Sequence, residues 1–243
     1  MLLSLDQLNN LPHLSGIYKF YSKDQNLLYV GKAKDLKIRV NSYFKDQSND
    51  QKKIKLVEQI HHIKIIPVSS EFEALLLEAK LINENQPKYN VIWKDDKHYI
   101  YIQITKEEFP KILFARKATV DGSYFGPFPS AVIVKELLRF LRTIFPYCTQ
   151  KSNSKRGCFF THLGLCNPCP AQIKKTSGEK YQILKIQYKH NIRNIKKILE
   201  GKIGNVRQFL TKQMYLYSKM KEFENAAVLR DKIVALDYLV NQQ

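Results

Sequence analysis

The stretch from Ser15 to Phe44, SGIYKFYSKDQNLLYVGKAKDLKIRVNSYF, narrows the fold more than any other part of the chain. Two aromatic-rich, strand-like runs, Gly16 to Tyr21 and Leu27 to Gly31, flank a polar turn short enough for a β-hairpin, and a helical pattern follows at once. Side chains alternate faces along a strand, so Tyr18 and Tyr29 share a face only if they pair directly or at an even offset. A four-residue loop, Ser22 to Gln25, gives that register, whereas a five-residue loop puts the two tyrosines on opposite faces. Beyond Gly31, Leu36, Val40 and Tyr43 or Phe44 recur at helical spacing and face the core. Lys32, Asp35 and Arg39 form a polar stripe beside the hairpin.

Further along, strand and helix signals continue to alternate. A helix is expected from about Asp35 to Phe44, another from Lys52 to Ile60, a strand at IKIIPV and a helix from Glu71 to Asn85, so that residues 11–94 read as one α/β domain. Residues 95–147 follow as a hairpin (HYIYIQITKEEFPKILFARK), a turn-rich connector (GSYFGPFPS) and an amphipathic helix from about Ala131 to Ile144. Residues 148–170 hold all four cysteines with little periodicity. Residues 179–202 read as a basic helix, and 204–240 as two more helices joined near Lys221 and Glu222.

Charge limits the partners. Against 22 acidic residues stand 40 Lys and Arg, a formal +18 over 243 residues. That surplus suits an extended polyanion, and nucleic acid is expected to bind with a steep dependence on salt. A membrane is not expected, because no apolar run reaches spanning length and no basic helix carries a broad aromatic face. The terminus MLLSLDQLNN has no basic n-region and is interrupted by Asp6, so it does not read as a signal peptide, and a cytoplasmic location is expected.

Three groups of residues carry chemistry. In the helix opened by Ser70 and Glu73, a capping box, Glu78 falls amid Ala74, Leu75, Leu81 and Ile82 on an apolar face. A buried carboxylate needs a cation, either a partner such as Arg39 or a metal ion. Cys148, Cys158, Cys166 and Cys169 stand in the spacing C-x9-C-x7-C-x2-C, which closes a tetrahedral Zn²⁺ site or holds an iron–sulfur cluster; His162 is read as a loop residue. In the last two helices Val206, Phe209, Leu210, Met214, Tyr217 and Met220 trace one apolar face. Phe223, Ala226, Ala227, Arg230, Ile233 and Val234 trace a second, and a hairpin this small cannot bury both alone.

GIY at Gly16 to Tyr18 and YVG at Tyr29 to Gly31 resemble the paired signature of the GIY-YIG nucleases. YVGKAKDLKIRVNSYF, EFEALLLEAKLI, PKYNVIWKDDKHYIYI and YFGPFPS resemble, in that order, the N-terminal half of UvrC, the excision-repair nuclease subunit, and its short relative Cho, over about Leu11 to Leu239. The resemblance implies a GIY-YIG domain with a small, mainly antiparallel sheet flanked by helices, then a cysteine-rich segment and a C-terminal helical hairpin. It implies a site of Tyr18, Tyr29, Lys32, Arg39, Tyr43, Glu78 and Asn90. Glu78 would hold one Mg²⁺ or Mn²⁺, Tyr29 would act as general base with Lys32 lowering its pKa, and Arg39 would grip the phosphate. Tyr18, Tyr43 and Asn90 would order water and backbone, with Tyr18 able to take the base role.

For the cysteines the resemblance implies a [4Fe-4S] cluster, from whose usual pattern this segment departs: the last pair is one residue closer and Cys148 lies earlier relative to FP. Zn²⁺ therefore stays as the alternative. MKEFENAAVLRDKI resembles the UVR motif and implies contact with UvrB through Phe223, Ala226, Ala227, Leu229 and Arg230. The expected function is a metal-dependent DNA endonuclease of nucleotide excision repair and the SOS response, cutting lesion-bearing duplex 3′ of the damage. The alternatives are a non-cleaving DNA-binding adaptor of UvrB and a stand-alone structure-specific nuclease. A full-length UvrC continues with a second nuclease region and a helix-hairpin-helix region. The chain is either a natural short form or part of a longer protein, and a complete chain of this length should make one incision.

Overall fold

A computed structural model describes residues 2–4, 8, 10–45, 50–90, 100–116, 121–128, 130–150 and 157–241. The chain divides into two compact units, residues 1–99 with 237–243, and residues 100–236. The expected boundary between residues 94 and 95 lies outside the described residues.

The first unit is built on a four-stranded antiparallel sheet, β1 (Leu2–Ser4), β2 (Gly16–Tyr21), β3 (Leu27–Ala33) and β4 (His62–Pro67), in the order β1-β4-β2-β3. Helices α1 (Leu36–Lys45) and α2 (Gln51–Val57) cover one face, and α3 (Glu71–Asn85) covers the other. Tyr18, Phe20, Leu36, Val40, Leu56 and Ile63 fill the first layer, while Ile17, Val30, Ala74 and Ile82 fill the second. β1 was not anticipated; its three residues pair with β4 from Leu2↔Lys64 to Ser4↔His62.

Helix boundaries follow the local signals closely. Asp50 accepts from Lys52 N to open α2, and Ser70 Oγ accepts from Glu73 N (3.1 Å) to open α3. The Glu73 carboxylate returns the favour one residue early, accepting from the Ser69 N–H at 2.9 Å. α3 ends where Gln86 turns left-handed, with φ 44°.

The hairpin turn differs from the four-residue loop expected. Ser22 to Asn26 form a five-residue connection, and the register slips between Phe20 and Tyr21, which adds a bulge at Leu28. The two irregularities compensate. Tyr18 pairs with Gly31 and Phe20 with Tyr29, an offset of two, so both tyrosines leave the sheet on the same face.

In the second unit β5 (Ile100–Thr105) is the centre of an antiparallel sheet, with β6 (Ile112–Ala115) and β7 (Gly122–Phe128) on either side. The turn-rich connector expected at GSYFGPFPS is thus corrected: its first seven residues are strand β7. Glycine there serves close approach as much as turning, since a Cβ on Gly122 would stand 2.6 Å from the Ile104 carbonyl. Helix α4 (Ala131–Ile144), capped by Ser130, follows and buries Val134, Leu137, Leu138 and Leu141. The cysteine segment contributes two single turns, α5 (Phe159–His162) and α6 (Pro170–Ile173). Three long helices complete the chain: α7 (Gly178–Leu199), α8 (Ile203–Lys219) and α9 (Phe223–Asn241).

α7 is tied to the β5–β6 turn. Lys185 and Tyr181 both bond Glu108, at 2.6 and 2.8 Å, and Tyr188 Oη donates to Pro110 O at 2.6 Å. The helical hairpin is docked at its base, where Val206, Leu210, Ile233 and Leu236 are buried. Its joint end is not: Met220 and Phe223 are 66% and 65% exposed. Val234, expected on the buried face, is exposed, and Leu236 takes that place because the helix phase carries it inward.

Candidate active site

The two glycines of the GIY and YVG tripeptides are there for space. A Cβ on Gly31 would land on the Tyr18 hydroxyl, and one on Gly16 would stand 2.6 Å from Ile66 O and 2.9 Å from Leu36 Cδ1. Tyr18 therefore lies flat over the position directly across the hairpin. Its Oη meets Tyr43 Oη at 3.0 Å, delivered from α1 by the Leu36, Val40, Tyr43 stripe. Tyr29 completes the group, with ring centroids 6.0 Å from Tyr18 and 6.2 Å from Tyr43. Arg39, one turn before Tyr43 on α1, places its guanidinium 5.3 Å from the Tyr43 ring.

β3 is an edge strand, and its outward-facing backbone groups must be satisfied from elsewhere. Asn90 does this as a short strand would: its Oδ1 accepts from Val30 N at 2.8 Å and its Nδ2 donates to Val30 O at 2.9 Å. One step along the same edge, Glu78 Oε1 accepts from Lys32 N at 3.0 Å. The carboxylate thus reaches from α3, on one face of the sheet, to the rim beside the phenols on the other.

Burial of Glu78 raises its pKa to about 7, the Lys32 N–H bond and then the charges of Lys32 and Arg39 opposing the rise. No lysine or arginine among the described residues lies within salt-bridge distance of it, which removes the ion pair with Arg39 as its explanation. Burial lifts the phenols too. Tyr18 is held well above the usual range by desolvation and by Tyr43, with Arg39 pulling the other way. Tyr29 is held well above it by desolvation, then by Tyr18, Tyr43 and the Glu78 carboxylate.

These contacts correct one expected role. Lys32 pairs with Ile17 and leaves β3 on the face opposite Tyr29, so its charge acts on Glu78 and not on the Tyr29 phenol. The cations beside the phenols are Arg39 and, 5.4 Å from the Tyr43 ring, Lys53. The other expected members, Tyr18, Tyr29, Tyr43, Glu78 and Asn90, come together around the β3 rim.

In the second unit, Cys148, Cys158, Cys166 and Cys169 are all buried. The sulfurs of Cys148, Cys158 and Cys166 lie within 4.8 Å of one another, and Cys166 is in hydrogen-bonding contact with both Cys148 and Cys169. Four soft thiols converging in one interior fit a thiolate-bound metal centre; the edge of a tetrahedral zinc–sulfur site is about 3.8 Å, from a bond of about 2.3 Å. Gln150 N donates to Cys148 Sγ and Thr161 Oγ1 lies against Cys158 Sγ, each at 3.4 Å. His162, expected in a loop, instead ends the single turn α5, where it is exposed.

Two supporting residues were not singled out from the sequence. Tyr188 Oη accepts from Cys148 N (3.4 Å), and Asn191 Nδ2 donates to Pro146 O (3.0 Å), so α7 holds the backbone that presents Cys148. Their signal was polar residues three apart on the buried face of a basic helix.

On the terminal hairpin Phe223 and Arg230 are exposed, Arg230 bonding its neighbour Asp231 at 2.9 Å, while Ala226, Ala227 and Leu229 are half-buried.

A twisted antiparallel sheet with helices on both faces, a phenol cluster around a glycine pair, and one carboxylate at the sheet rim define a GIY-YIG endonuclease domain. Residues 14–91 match the family described as the UvrC-like GIY-YIG domain, and residues 99–184 match the UvrC/Cho excinuclease middle domain. The chain thus carries a UvrC-like GIY-YIG endonuclease domain followed by the UvrC/Cho middle domain. It is 39% identical over 237 residues to the UvrABC system protein C of Methanosarcina acetivorans, covering 97% of this chain and 44% of the relative. To the protein of the same name from Actinobacillus pleuropneumoniae serotype 3 it is 40% identical over 242 residues, covering 97% of this chain and 38% of the relative. The chain therefore spans less than half the length of these relatives. Among solved structures, the GIY-YIG N-terminal endonuclease domain of UvrC from Thermotoga maritima bound to its catalytic divalent cation, magnesium, is 36% identical, covering 35% of this chain and 92% of that one with a TM-score of 0.32.

Proposed function

We propose that this chain is a metal-dependent DNA endonuclease of nucleotide excision repair, making the incision 3′ of a lesion marked by UvrB. The observation that carries the nuclease reading is the meeting of Glu78, Tyr29, Tyr43, Tyr18 and Arg39 at one rim of the sheet. The 3′ polarity and the UvrB dependence rest on the likeness to UvrC.

Glu78 fits a divalent ion. It offers a partly buried carboxylate with one oxygen fixed by Lys32 N and no donor to the other among the described residues. A single carboxylate is a usual anchor for Mg²⁺, which keeps most of its waters. When bound, Mg²⁺ or Mn²⁺ supplies Lewis-acid stabilisation of the phosphate and the leaving oxygen. The chain's own groups do the rest. Tyr29, more exposed than Tyr18, takes the proton of the attacking water. Its acidity at neutral pH depends on neutralising Glu78, whose charge holds the phenol up, and on Arg39, whose charge steadies the cluster. Tyr43 bridges toward Tyr18 and fixes the phenol geometry, Arg39 binds a phosphate oxygen, and Asn90 keeps the β3 backbone, and with it Tyr29, in place.

The four cysteines hold the second cofactor, a [4Fe-4S] cluster by likeness to UvrC or a Zn²⁺ ion by the compact spacing of the sulfurs. The exposed joint end of the hairpin, with Met220, Phe223 and Arg230, is the UvrB contact, to which the half-buried Ala226, Ala227 and Leu229 contribute shape. No helix of the described residues is long and apolar enough to cross a membrane, and the reading places the protein in the cytoplasm, where thiols stay reduced.

The test is incision of a duplex with one defined lesion, with and without UvrB and divalent metal, comparing wild type with Glu78→Ala and Tyr29→Phe. Metal- and UvrB-dependent nicking lost in both variants is expected. Nicking by wild type without UvrB would favour the stand-alone nuclease, and binding without nicking the adaptor.

A further inference from the structure

Helix α4 buries one face composed of Val134, Leu137, Leu138, Leu141 and Ile144, and among them a single charged residue, Arg142, 8% exposed. Its guanidinium lies 4.3 Å from the centre of the Tyr147 ring and 3.8 Å from that of Phe160. Its Nε is buried with no hydrogen-bond partner, and no carboxylate among the described residues pairs with it. Tyr147 precedes Cys148, and Phe160 lies two residues beyond Cys158, so the rings that clamp this cation belong to the same stretches of chain that present two of the four thiols.

Arginine stays charged in any protein interior, so this burial requires compensation. Aromatic faces, a hydrogen bond with the Tyr147 phenol and the carbonyl end of α4 provide part of it, each a partial charge. None of them supplies a full counter-charge or a partner for the orphaned Nε. Four thiolates around zinc carry a net double negative charge, and four around an oxidised four-iron cubane with a 2+ core carry the same. Either centre therefore meets the same need.

We infer that Arg142, held between Tyr147 and Phe160, is the buried counter-charge of the four-cysteine centre and a positioning residue for its loading and retention. The inference rests on the reading of the cysteines as metal ligands, and it holds for zinc or iron alike. Arg142 and the centre depend on each other: the cation offsets the negative charge of the loaded centre, and that charge relieves the buried guanidinium.

The experiment uses the full chain purified anaerobically, as wild type, Arg142→Met, Arg142→Lys and Cys166→Ser. Iron and zinc per chain, and the rate of metal release to a chelator, are measured alongside thermal unfolding of the loaded and chelator-stripped forms. Arg142→Met, which keeps bulk and loses charge, should release metal about 10- to 100-fold faster than wild type, in the range expected of groups supporting metal ligands, with Arg142→Lys between them. The order of stability should also invert: below wild type when loaded, above it when stripped. Wild-type release from Arg142→Met, or the same order of stability in both forms, overturns the inference. Absence of stoichiometric metal from wild type, or its full retention in Cys166→Ser, instead overturns the reading of the cysteine centre and the inference with it.

Discussion

In the amino-terminal unit the side chains proposed to carry the reaction leave elements whose own packing is complete. Tyr18 and Tyr29 project from paired strands, Tyr43 and Arg39 from a helix anchored by Leu36 and Val40, and Glu78 from a helix with caps at both ends. In the cysteine segment the four buried thiols sit on irregular backbone and at the starts of the single turns α5 and α6. The first arrangement is held by hydrophobic burial and hydrogen-bonded register, so its geometry exists before any ion arrives. The second has only single turns and local backbone bonds, and on the proposed reading of its cysteines as metal ligands it would draw its stability from the ligand. A catalytic ion that comes and goes suits the former, and a resident one suits the latter.

Removing the metal from each region should widen this contrast. Stripping the cysteine centre, or Cys166→Ser, should loosen the segment around residues 148–173 wholesale, raising its amide exchange and protease cleavage by orders of magnitude, since structural thiolate sites contribute on the order of 10 kcal/mol. Chelating the catalytic ion should leave exchange in β2, β3 and α3 unchanged. Equal protection in both regions after chelation would erase the distinction.

Glu78→Ala should then lower nicking by about 10³-fold, the scale of losing one preorganised electrostatic group, with the circular dichroism of the fold intact. Its pH behaviour sharpens the same point. The folded carboxyl keeps its proton up to about pH 7, against 4.5 for the unpaired group, so the metal-free protein binds more protons folded than unfolded across that interval. Stability of the metal-free form should fall as pH rises from about 4.5 to 7, by up to about 3 kcal/mol, and level off above it. Glu78→Gln should flatten that slope, and saturating Mg²⁺ should reduce it; a slope unchanged in Glu78→Gln would show that the carboxyl is already solvated.

Asn90→Ala should cost about 1–3 kcal/mol by orphaning the Val30 N–H and C=O, and should lower nicking through misplacement of Tyr29, a loss that a urea titration and a nicking assay can separate. The smallest effect on stability falls at the exposed hairpin joint. Phe223→Ser should change the free energy of unfolding by less than about 0.5 kcal/mol while abolishing UvrB pulldown. Retained pulldown would move the partner surface elsewhere.

Much of the architecture was written locally. The bounds of α3 and α4 follow from Ser70 and Ser130 caps and 3.6-residue periodicity, and the spacing of the four cysteines already marked them as one group. β7 was hidden because Gly122, Gly126 and Pro127 look like a turn, and the partner that makes them a strand, β5, enters only through long-range pairing. Asn90 was named by resemblance, yet its service as a surrogate strand partner 60 residues from Val30 has no local signature.

What the sequence determined by itself was the inventory: a hairpin with two obligatory glycines, a carboxylate on an apolar helix, four thiols in a short span and an amphipathic tail. Only the tertiary structure decided which of those groups face one another. A bulge at Leu28 set the tyrosines on one side, the continuation of β3 to Ala33 put Lys32 on the other by alternation, and packing brought Arg142 into an apolar layer between two rings. The physical reason is that periodicity fixes direction along one element, whereas strand register and burial of a charge are settled by partners distant in the chain.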